Sequence, residues 1–405
     1  MSNPIKDKTI LLGISGSIAA YKAVELASQL TKSGALVDVI LTPAAEKLVS
    51  ALTFRSVTGR KAFTEQDLWD TSDHVVHITL ARRADLMLIA PASANTLAKL
   101  AHGIGDNLLT VTALAIRCPL AVAPAMDAGM FSNAATQENL QILHKRDILI
   151  LGPEEGHLAS GLKGKGRMLE PTVLYSSLRY LLSRNNPLAG KKILITAGGT
   201  QEAIDPVRIL TNHSSGKQGF ALAQAALDRG ADVTLVSAPT SLLPPEGAEL
   251  IRVTSAEEMH QVVLEKVLDA DAVIMAAAVA DFRPVSTSRE KIKKEEKPTE
   301  IKLEPTVDIL KELGELKRKK KGNLVLIGFA AESENLIENA SEKLSAKNLD
   351  LIVANDISRS DAGFAVDTNE VTLLFKNGQK KEIPLQEKNR IAEEIIDNLL
   401  RLMQS

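Results

Sequence analysis

The chain has 405 residues, 45% hydrophobic and 24% charged, and 48 Lys and Arg against 50 Asp and Glu leave a formal net charge of −2. That length suits two or three domains of roughly 100–200 residues and excludes wholesale disorder, while the balanced charge and 3% aromatics argue against a nucleic-acid partner. The single cysteine, Cys118, excludes an intramolecular disulfide and a cysteine-rich zinc site and fits a reducing cytoplasm.

Residues 1–8 lack the apolar core of a signal peptide, so none is expected. The longest apolar stretch, Leu108 to Met126, is interrupted by Thr110, Thr112, Arg117 and Pro119. It falls short of the roughly 18 apolar residues of a bilayer span, so no membrane partner is expected.

Thr9 to Leu12 predicts a short strand, which runs into Gly13-Ile14-Ser15-Gly16-Ser17. Ile18, Tyr21, Val24 and Ala27 are then spaced for one helical face, and Leu36 to Leu41 predicts a second strand. Leu86 to Ala90 and Ile148 to Leu151 are further strand candidates. The polar stretch Ser183 to Gly190, with Pro187 and Gly190, marks a boundary between residues 1–186 and 187–405. The same grammar then restarts. Lys192 to Ile195 reads as a strand, Thr196 to Thr200 as a turn, Gly216 to Leu227 as a helix and Asp232 to Val236 as a strand. Ala272 to Met275, Leu324 to Ile327 and Leu349 to Val353 continue it as apolar runs suited to parallel strands buried on both faces. Val371 to Phe375 and Lys380 to Leu385 flank Asn377-Gly378 as a hairpin, and a last helix runs from about Gln386 to Met403. Repeated strand–crossover–strand units predict two tandem Rossmann-like α/β domains.

The turn Gly13 to Ser17 suits either a phosphate at a helix N-terminus or simply a tight bend; it lacks the Gly-Lys-Ser/Thr of a Walker loop and the full dinucleotide fingerprint. Ala90 to Thr96 and Pro124 to Asp127 follow predicted strands, where open α/β sheets bind ligands, although each by itself reads as an ordinary loop. His74 and His77 are three apart, but no third ligand clusters with them, so a metal site is disfavoured and a general base or a surface histidine stays open. Thr211 to Lys217 suits an anion at a helix start, a helix cap by Ser214 or Ser215, or both. Glu290 to Lys294 suits a triphosphate or a solvated loop, and Lys317 to Lys321 reads as a solvated helix end.

Taken in order, these motifs resemble the bifunctional coenzyme A biosynthesis family, phosphopantothenoylcysteine decarboxylase fused to phosphopantothenate–cysteine ligase. Gly13 to Lys22, His77 to Leu80, Ala90 to Asn95 and Gly105 to Leu108 carry the first half of the resemblance. Ile195 to Thr200, Asp205 to Arg208, Asn212 to Lys217, Ala277 to Asp281, Glu290 to Lys294, Gly328 to Glu332 and Lys347 to Asp356 carry the second. The resemblance implies a flavodoxin-like flavoprotein domain followed by a doubly wound ligase domain. It implies FMN held by Ser15, Gly16, Ser17, Thr42, Ser93 and Met126, with His77 as the catalytic histidine. In the ligase it implies Lys291 forming an acyl-cytidylate and Asn212 handling it. CTP would be contacted by Ala276, Ala277, Asp281, Phe329, Lys343, Lys347 and the loop Thr306-Val307-Asp308-Ile309, with Mg²⁺. The implied substrates are 4′-phosphopantothenate, cysteine and CTP, in a cytoplasmic homo-oligomer of dimeric ligase and trimeric decarboxylase domains.

Two positions depart from the family pattern. Asp127 replaces an asparagine whose amide donates to the substrate carboxylate, and Ser160 replaces a cysteine that protonates the ene-thiolate left by decarboxylation. A serine hydroxyl is a much weaker acid than a thiol. The proton is therefore expected either through Ser160 and a water or from a protonated Asp127, whose pKa would have to rise from about 4 towards neutrality. The alternative is an active ligase with a flavin-binding but catalytically impaired decarboxylase domain that acts as an assembly scaffold.

Overall fold

The computed structural model describes residues 3–69, 75–293, 300–319, 324–332, 334–356 and 366–404. They divide into two compact units, one over Asn3–Leu182 and one from Ser183 onward.

In chain order, the first unit comprises β1 (Thr9–Ile14), α1 (Ala20–Lys32), β2 (Leu36–Leu41), α2 (Pro43–Glu46), α3 (Ala51–Thr58) and β3 (Ala62–Phe63). After a 3-10 turn at Glu65–Trp69 come α4 (Val76–Arg83), β4 (Leu86–Ala92), α5 (Ala94–His102), α6 (Leu108–Ala115) and β5 (Leu120–Pro124). The unit ends with α7 (Ala128–Ser132), α8 (Ala134–Lys145), β6 (Leu149–Ile150), β7 (Glu154–His157), β8 (Lys163–Arg167) and α9 (Pro171–Ser183). Six parallel strands lie in the order β3-β2-β1-β4-β5-β6. Without the two-residue edge strand β3, the order is the 2-1-3-4-5 of flavodoxin-like sheets. Alternation along the strands fills a core on each face: Ile10, Leu12, Leu86 and Leu88 enter one, Leu11, Met87 and Ile89 the other. The buried stripe of α1 is Ala20, Ala23, Leu26, Ala27 and Leu30, whereas Ile18 and Tyr21 are exposed. The residues spaced for one helical face therefore differ in burial: Ala27 is buried, and Ile18 and Tyr21 are exposed.

The second unit begins with β9 (Lys192–Ala197), β10 (Gln201–Ala203), β11 (Ile209–Thr211), α10 (Lys217–Asp228), β12 (Asp232–Ser237) and β13 (Glu249–Arg252). It continues with α11 (Ala256–Lys266), β14 (Ala272–Met275), β15 (Phe282–Pro284), β16 (Leu303–Pro305), α12 (Ile309–Lys319) and β17 (Val325–Glu332). It closes with α13 (Leu336–Ala346), β18 (Leu351–Asp356), β19 (Thr368–Phe375), β20 (Lys380–Glu387) and α14 (Lys388–Gln404). Eight of its strands form one sheet in the order β13-β12-β9-β14-β17-β18-β19-β20, in which only the last two additions are antiparallel. The predicted hairpin is β19–β20, with Gly378 at φ +84° in its turn. Helix α10 lies so close to β9 that a Cβ on Gly219 would fall 2.5 Å from the Ala197 Cβ. The start of α10 is capped by neither Ser214 nor Ser215; Gly216 takes the position at φ 76° with no side-chain hydrogen bond. A left-handed backbone there favours glycine. Lys317 is not solvated as expected: its ammonium pairs with the part-buried Asp350.

Candidate active sites

In the first unit the strand order reverses between β1 and β4, so the loops leaving their carboxyl ends diverge and open a crevice. Ser15, 1% exposed, spans it: its Oγ donates to Pro91 O at 2.8 Å and accepts from Ser93 N at 2.8 Å. Above lies a cavity of about 540 Å³, lined among others by Gly16, Ser17, Ser93, Met126, Asp127 and Ser160. Ile18, Tyr21 and Met130 supply apolar wall, so the exposed side of α1 faces this cavity. Ser15 and Thr42 lie behind the lining: Thr42 caps α2, as Ser93 caps α5. Backbone N–H groups at the start of α1 and an apolar wall suit a planar ligand carrying a phosphate, and the volume is in the range of cofactor sites. His77 stands in the first turn of α4, half-buried, and does not line the cavity of its own chain. His74 and Lys294 lie outside the described residues.

The rim is built by the β7–β8 hairpin. Met126 N donates to Gly166 O at 3.0 Å, and a Cβ on Gly166 would fall 2.3 Å from Met126 O, so the hairpin base sits directly on the loop after β5. The tip then brings Ser160 to Asp127, and the Ser160 hydroxyl donates to Asp127 Oδ2 at 2.7 Å. The other oxygen accepts from Gly129 N at 2.9 Å and caps α7. The Ser160 hydroxyl first, and the Gly129 N–H second, hold the Asp127 carboxyl below its ordinary range. Both bonds favour the charged form, so Asp127 stands here as an acceptor and not as the protonated acid that one of the two expected proton routes requires. On the floor, Lys22 is 8% exposed and donates to Glu170 at 2.8 Å.

The second unit repeats the arrangement between β9 and β14. Ala278 N donates to Gly198 O at 2.8 Å, Ala277 N to Thr196 Oγ1 at 3.1 Å and Ala280 N to Thr200 Oγ1 at 2.9 Å, lacing the two strand ends together. A cavity of about 360 Å³ opens there. It gathers Asn212, Ala276, Ala277, Asp281, Thr306, Val307, Asp308, Ile309, Phe329, Lys343 and Lys347. Asn212 Nδ2 donates to Val279 O at 3.0 Å, and Thr306 N to Asp281 O at 3.0 Å. Lys347 pairs with Asp308 at 2.8 Å and Lys343 with Glu332 at 2.5 Å. Lys217 lines the wall and pairs with Asp367 at 2.6 Å. Lys388 was missed in the sequence because no motif surrounds it at the β20–α14 junction. It lines the same cavity at 6% exposure and donates to Val366 O at 2.6 Å. Burial, then the Lys217 cation, pushes its ammonium pKa down. Four lysines and the open start of α10 suit an anionic ligand. Lys291 is exposed and does not line the cavity of its own chain. Among the described residues no group of three or more His, Cys, Asp or Glu could hold a metal ion.

The family model described as Flavoprotein matches residues 1–183, and that described as DNA/pantothenate metabolism flavoprotein C-terminal domain matches residues 188–403. The coenzyme A biosynthesis bifunctional protein CoaBC of Bacillus subtilis (strain 168) is 44% identical over 401 residues, covering 98% of each chain. The chain belongs to the bifunctional coenzyme A biosynthesis family. A cysteine/cysteine sulfinic acid decarboxylase from an unknown prokaryotic organism is 46% identical over 332 residues, 81% of this chain and 92% of that one. The crystal structure of the C-terminal domain of a CoaBC protein is 44% identical, with a TM-score of 0.46, and covers 54% of this chain and 99% of that one. As a family member the chain is a bifunctional enzyme of coenzyme A biosynthesis with a decarboxylase and a ligase activity. Among the described residues no helix is long and apolar enough to cross a membrane.

Proposed function

We propose that the second unit couples 4′-phosphopantothenate to cysteine at the expense of CTP, and that the first unit decarboxylates the product with FMN to 4′-phosphopantetheine. The observation that carries the ligase reading is the single cavity in which Asn212, Asp281, Phe329, Lys343 and Lys347 meet. A carboxylate is a poor electrophile. Joining it to the CTP α-phosphate with loss of pyrophosphate makes an acyl-cytidylate, and the cysteine amine then expels CMP. Lysines around the phosphates neutralise the charge that builds up in the transition state. Asn212 is held by its bond to Val279 O and would bind the activated acyl group. Asp281 and Asp308, the carboxylates among the cavity lining, would be the residues available to a Mg²⁺ that enters with the nucleotide, whose role would be to neutralise phosphate charge.

In the first unit, FMN would supply the electron sink that lets the cysteinyl carboxylate leave as CO₂. Ser17, Ser93 and the start of α1 would hold its phosphate, and Met126 would lie beside the ring. Ser160, held by the ionised Asp127, is the hydroxyl through which a proton, with a water, would reach the product. That His77 does not line its own chain's cavity supports a homo-oligomer in which a second copy completes the site. Cys118 is in keeping with a cytoplasmic setting.

The test is an assay of the purified protein with CTP, Mg²⁺, 4′-phosphopantothenate and cysteine, following pyrophosphate, CMP, CO₂ and phosphopantetheine. A colourless protein that cannot be reconstituted with FMN overturns the flavin reading. Absence of CO₂ with FMN bound favours the scaffold alternative.

A further inference from the structure

The turn of the β10–β11 hairpin contains a buried carboxylate that neither caps a helix nor lines the cavity. Asp205 is 2% exposed and accepts three backbone N–H groups: Val207 and Arg208 at 2.8 Å each on Oδ1, and Ile292 at 3.2 Å on Oδ2. The first two close the turn. The third reaches 87 residues along the chain to the peptide that joins Lys291 to Ile292. Arg208 grips the far side of Ile292, donating to its carbonyl at 3.1 Å while lying 3.4 Å from Asp205 Oδ2. Just upstream, Ser288 N donates to Ile204 O at 3.0 Å and Thr287 Oγ1 to Ala203 O at 3.1 Å. Burial pushes the Asp205 carboxyl up, but the Val207, Arg208 and Ile292 N–H groups and the Arg208 cation outweigh it, and the pKa lies below the ordinary value. Hydrogen bonds to an ionised carboxylate are stronger than neutral ones.

The hairpin is seated in turn. Glu202, 5% exposed, accepts Ala256 N at 2.8 Å at the start of α11. Strand β11 runs directly into Asn212, which is tied to Val279 O. One small hairpin therefore fixes the backbone of both residues assigned to the cytidylate chemistry.

We propose that Asp205 is a positioning residue of the ligase reaction: by holding the Lys291–Ile292 peptide it fixes where the Lys291 ammonium stands when the acyl-cytidylate forms. This rests on the reading of Lys291 given above. A lysine carries its charge on a flexible four-carbon stem, so its placement depends on how firmly its backbone is held. An anchored backbone spends that ordering cost on folding instead of in the transition state. The clamp acts within one chain, whichever copy's cavity the lysine serves.

The experiment uses the full-length, FMN-loaded protein and follows pyrophosphate release from CTP, Mg²⁺ and 4′-phosphopantothenate. Asp205→Ala removes the clamp. Asp205→Asn keeps the size but sets an amide donor where a carboxylate oxygen accepted, and remains informative if the alanine variant does not fold. The expected result is a kcat loss on the order of 10²-fold with KM for CTP within about threefold, because the cavity lining is untouched. In the free enzyme, tryptic cleavage after Lys291 should quicken about tenfold as the gripped peptide is released. The double variant Asp205→Asn with Lys291→Gln should be no slower than Lys291→Gln alone, since Asp205 acts through that lysine. Wild-type kcat in Asp205→Asn overturns the inference even if cleavage quickens. A further loss in the double variant also overturns it. Wild-type turnover in Lys291→Gln, in contrast, overturns the underlying reading of Lys291.

Discussion

The two cavities lie at equivalent points of the same strand order, between β1 and β4 in the first unit and between β9 and β14 in the second. Their walls differ in kind. The first is largely apolar, with Ile18, Tyr21, Met126 and Met130 facing a hairpin that rests on the loop after β5. The second carries Lys217, Lys343, Lys347 and Lys388. A shared topology decides where a ligand sits, because only at the reversal of strand order do neighbouring loops part. The loops decide the character of each wall: apolar and suited to a planar ring in one case, lysine-bearing and suited to phosphates in the other.

The comparison predicts separable losses. The largest effect is expected in the second unit. Lys291→Gln and Asn212→Asp should each lower ligase turnover by on the order of 10²-fold or more, with the first failing to form the acyl-cytidylate and the second accumulating it. Decarboxylation of added phosphopantothenoylcysteine should be unchanged in both, measured as CO₂ release. A parallel loss of both activities would break the separation.

Next in size is Gly166→Val. Its side chain has no room beside Met126 O, so the hairpin must lift from the loop, at a cost of about 1–3 kcal/mol of overpacking. Flavin retention and CO₂ release should drop about tenfold or more, by the same conversion of free energy to binding. Ligase turnover, assayed on the same sample, should not follow.

A smaller effect, about tenfold, is expected of Ser160→Ala on saturated product, with the oxidised ene-thiol accumulating in its place. Product analysis by mass separates this outcome from simple slowing; an unaltered product ratio would remove Ser160 from the proton route.

The smallest effect concerns pH. Asp127 has a lowered carboxyl pKa, so its bond from Ser160 is fully present above the ordinary carboxylate value of about 4 and is lost only as pH falls through the lower folded value. Between pH 5 and 8, Asp127 should add no limb to the decarboxylation profile. Asp127→Asn should leave the final protonation intact, since it removes a charge and no acid. A wild-type profile that falls as pH rises through neutrality, and flattens in Asp127→Asn, would restore the acid role.

Much was legible from local signals. The doubling of the architecture follows from two glycine-bearing strand-to-helix turns, at Gly13–Ser17 and at Gly198–Gly199, each preceded by an apolar strand. The Asn377-Gly378 hairpin declares itself because the turn geometry is written into two adjacent residues. Asp281, Thr306 to Ile309, Phe329, Lys343 and Lys347, named from separate motifs, line one cavity. Periodicity alone did not say what each apolar residue faces: Ile18, just before α1, and Tyr21, within it, line a cavity, while Ala27 is buried in the core.

What only the tertiary structure decided are pairings between residues remote in sequence. The strands of the two-stranded sheets β7–β8, β10–β11 and β15–β16 have only three to five residues each, too few for apolar alternation to mark them. The Ser160–Asp127 bond spans 33 positions and the Asp205–Ile292 bond 87. Neither is encoded in a local pattern, and one of them favours the charged form of Asp127. The sequence by itself determined the two sheets, because burying apolar runs on both faces is a statement about each strand alone. It left open the ionisation and aim of the side chains above them. Those depend on which N–H, hydroxyl or cation the folded chain brings within about 3 Å, and such interactions are short-ranged and directional.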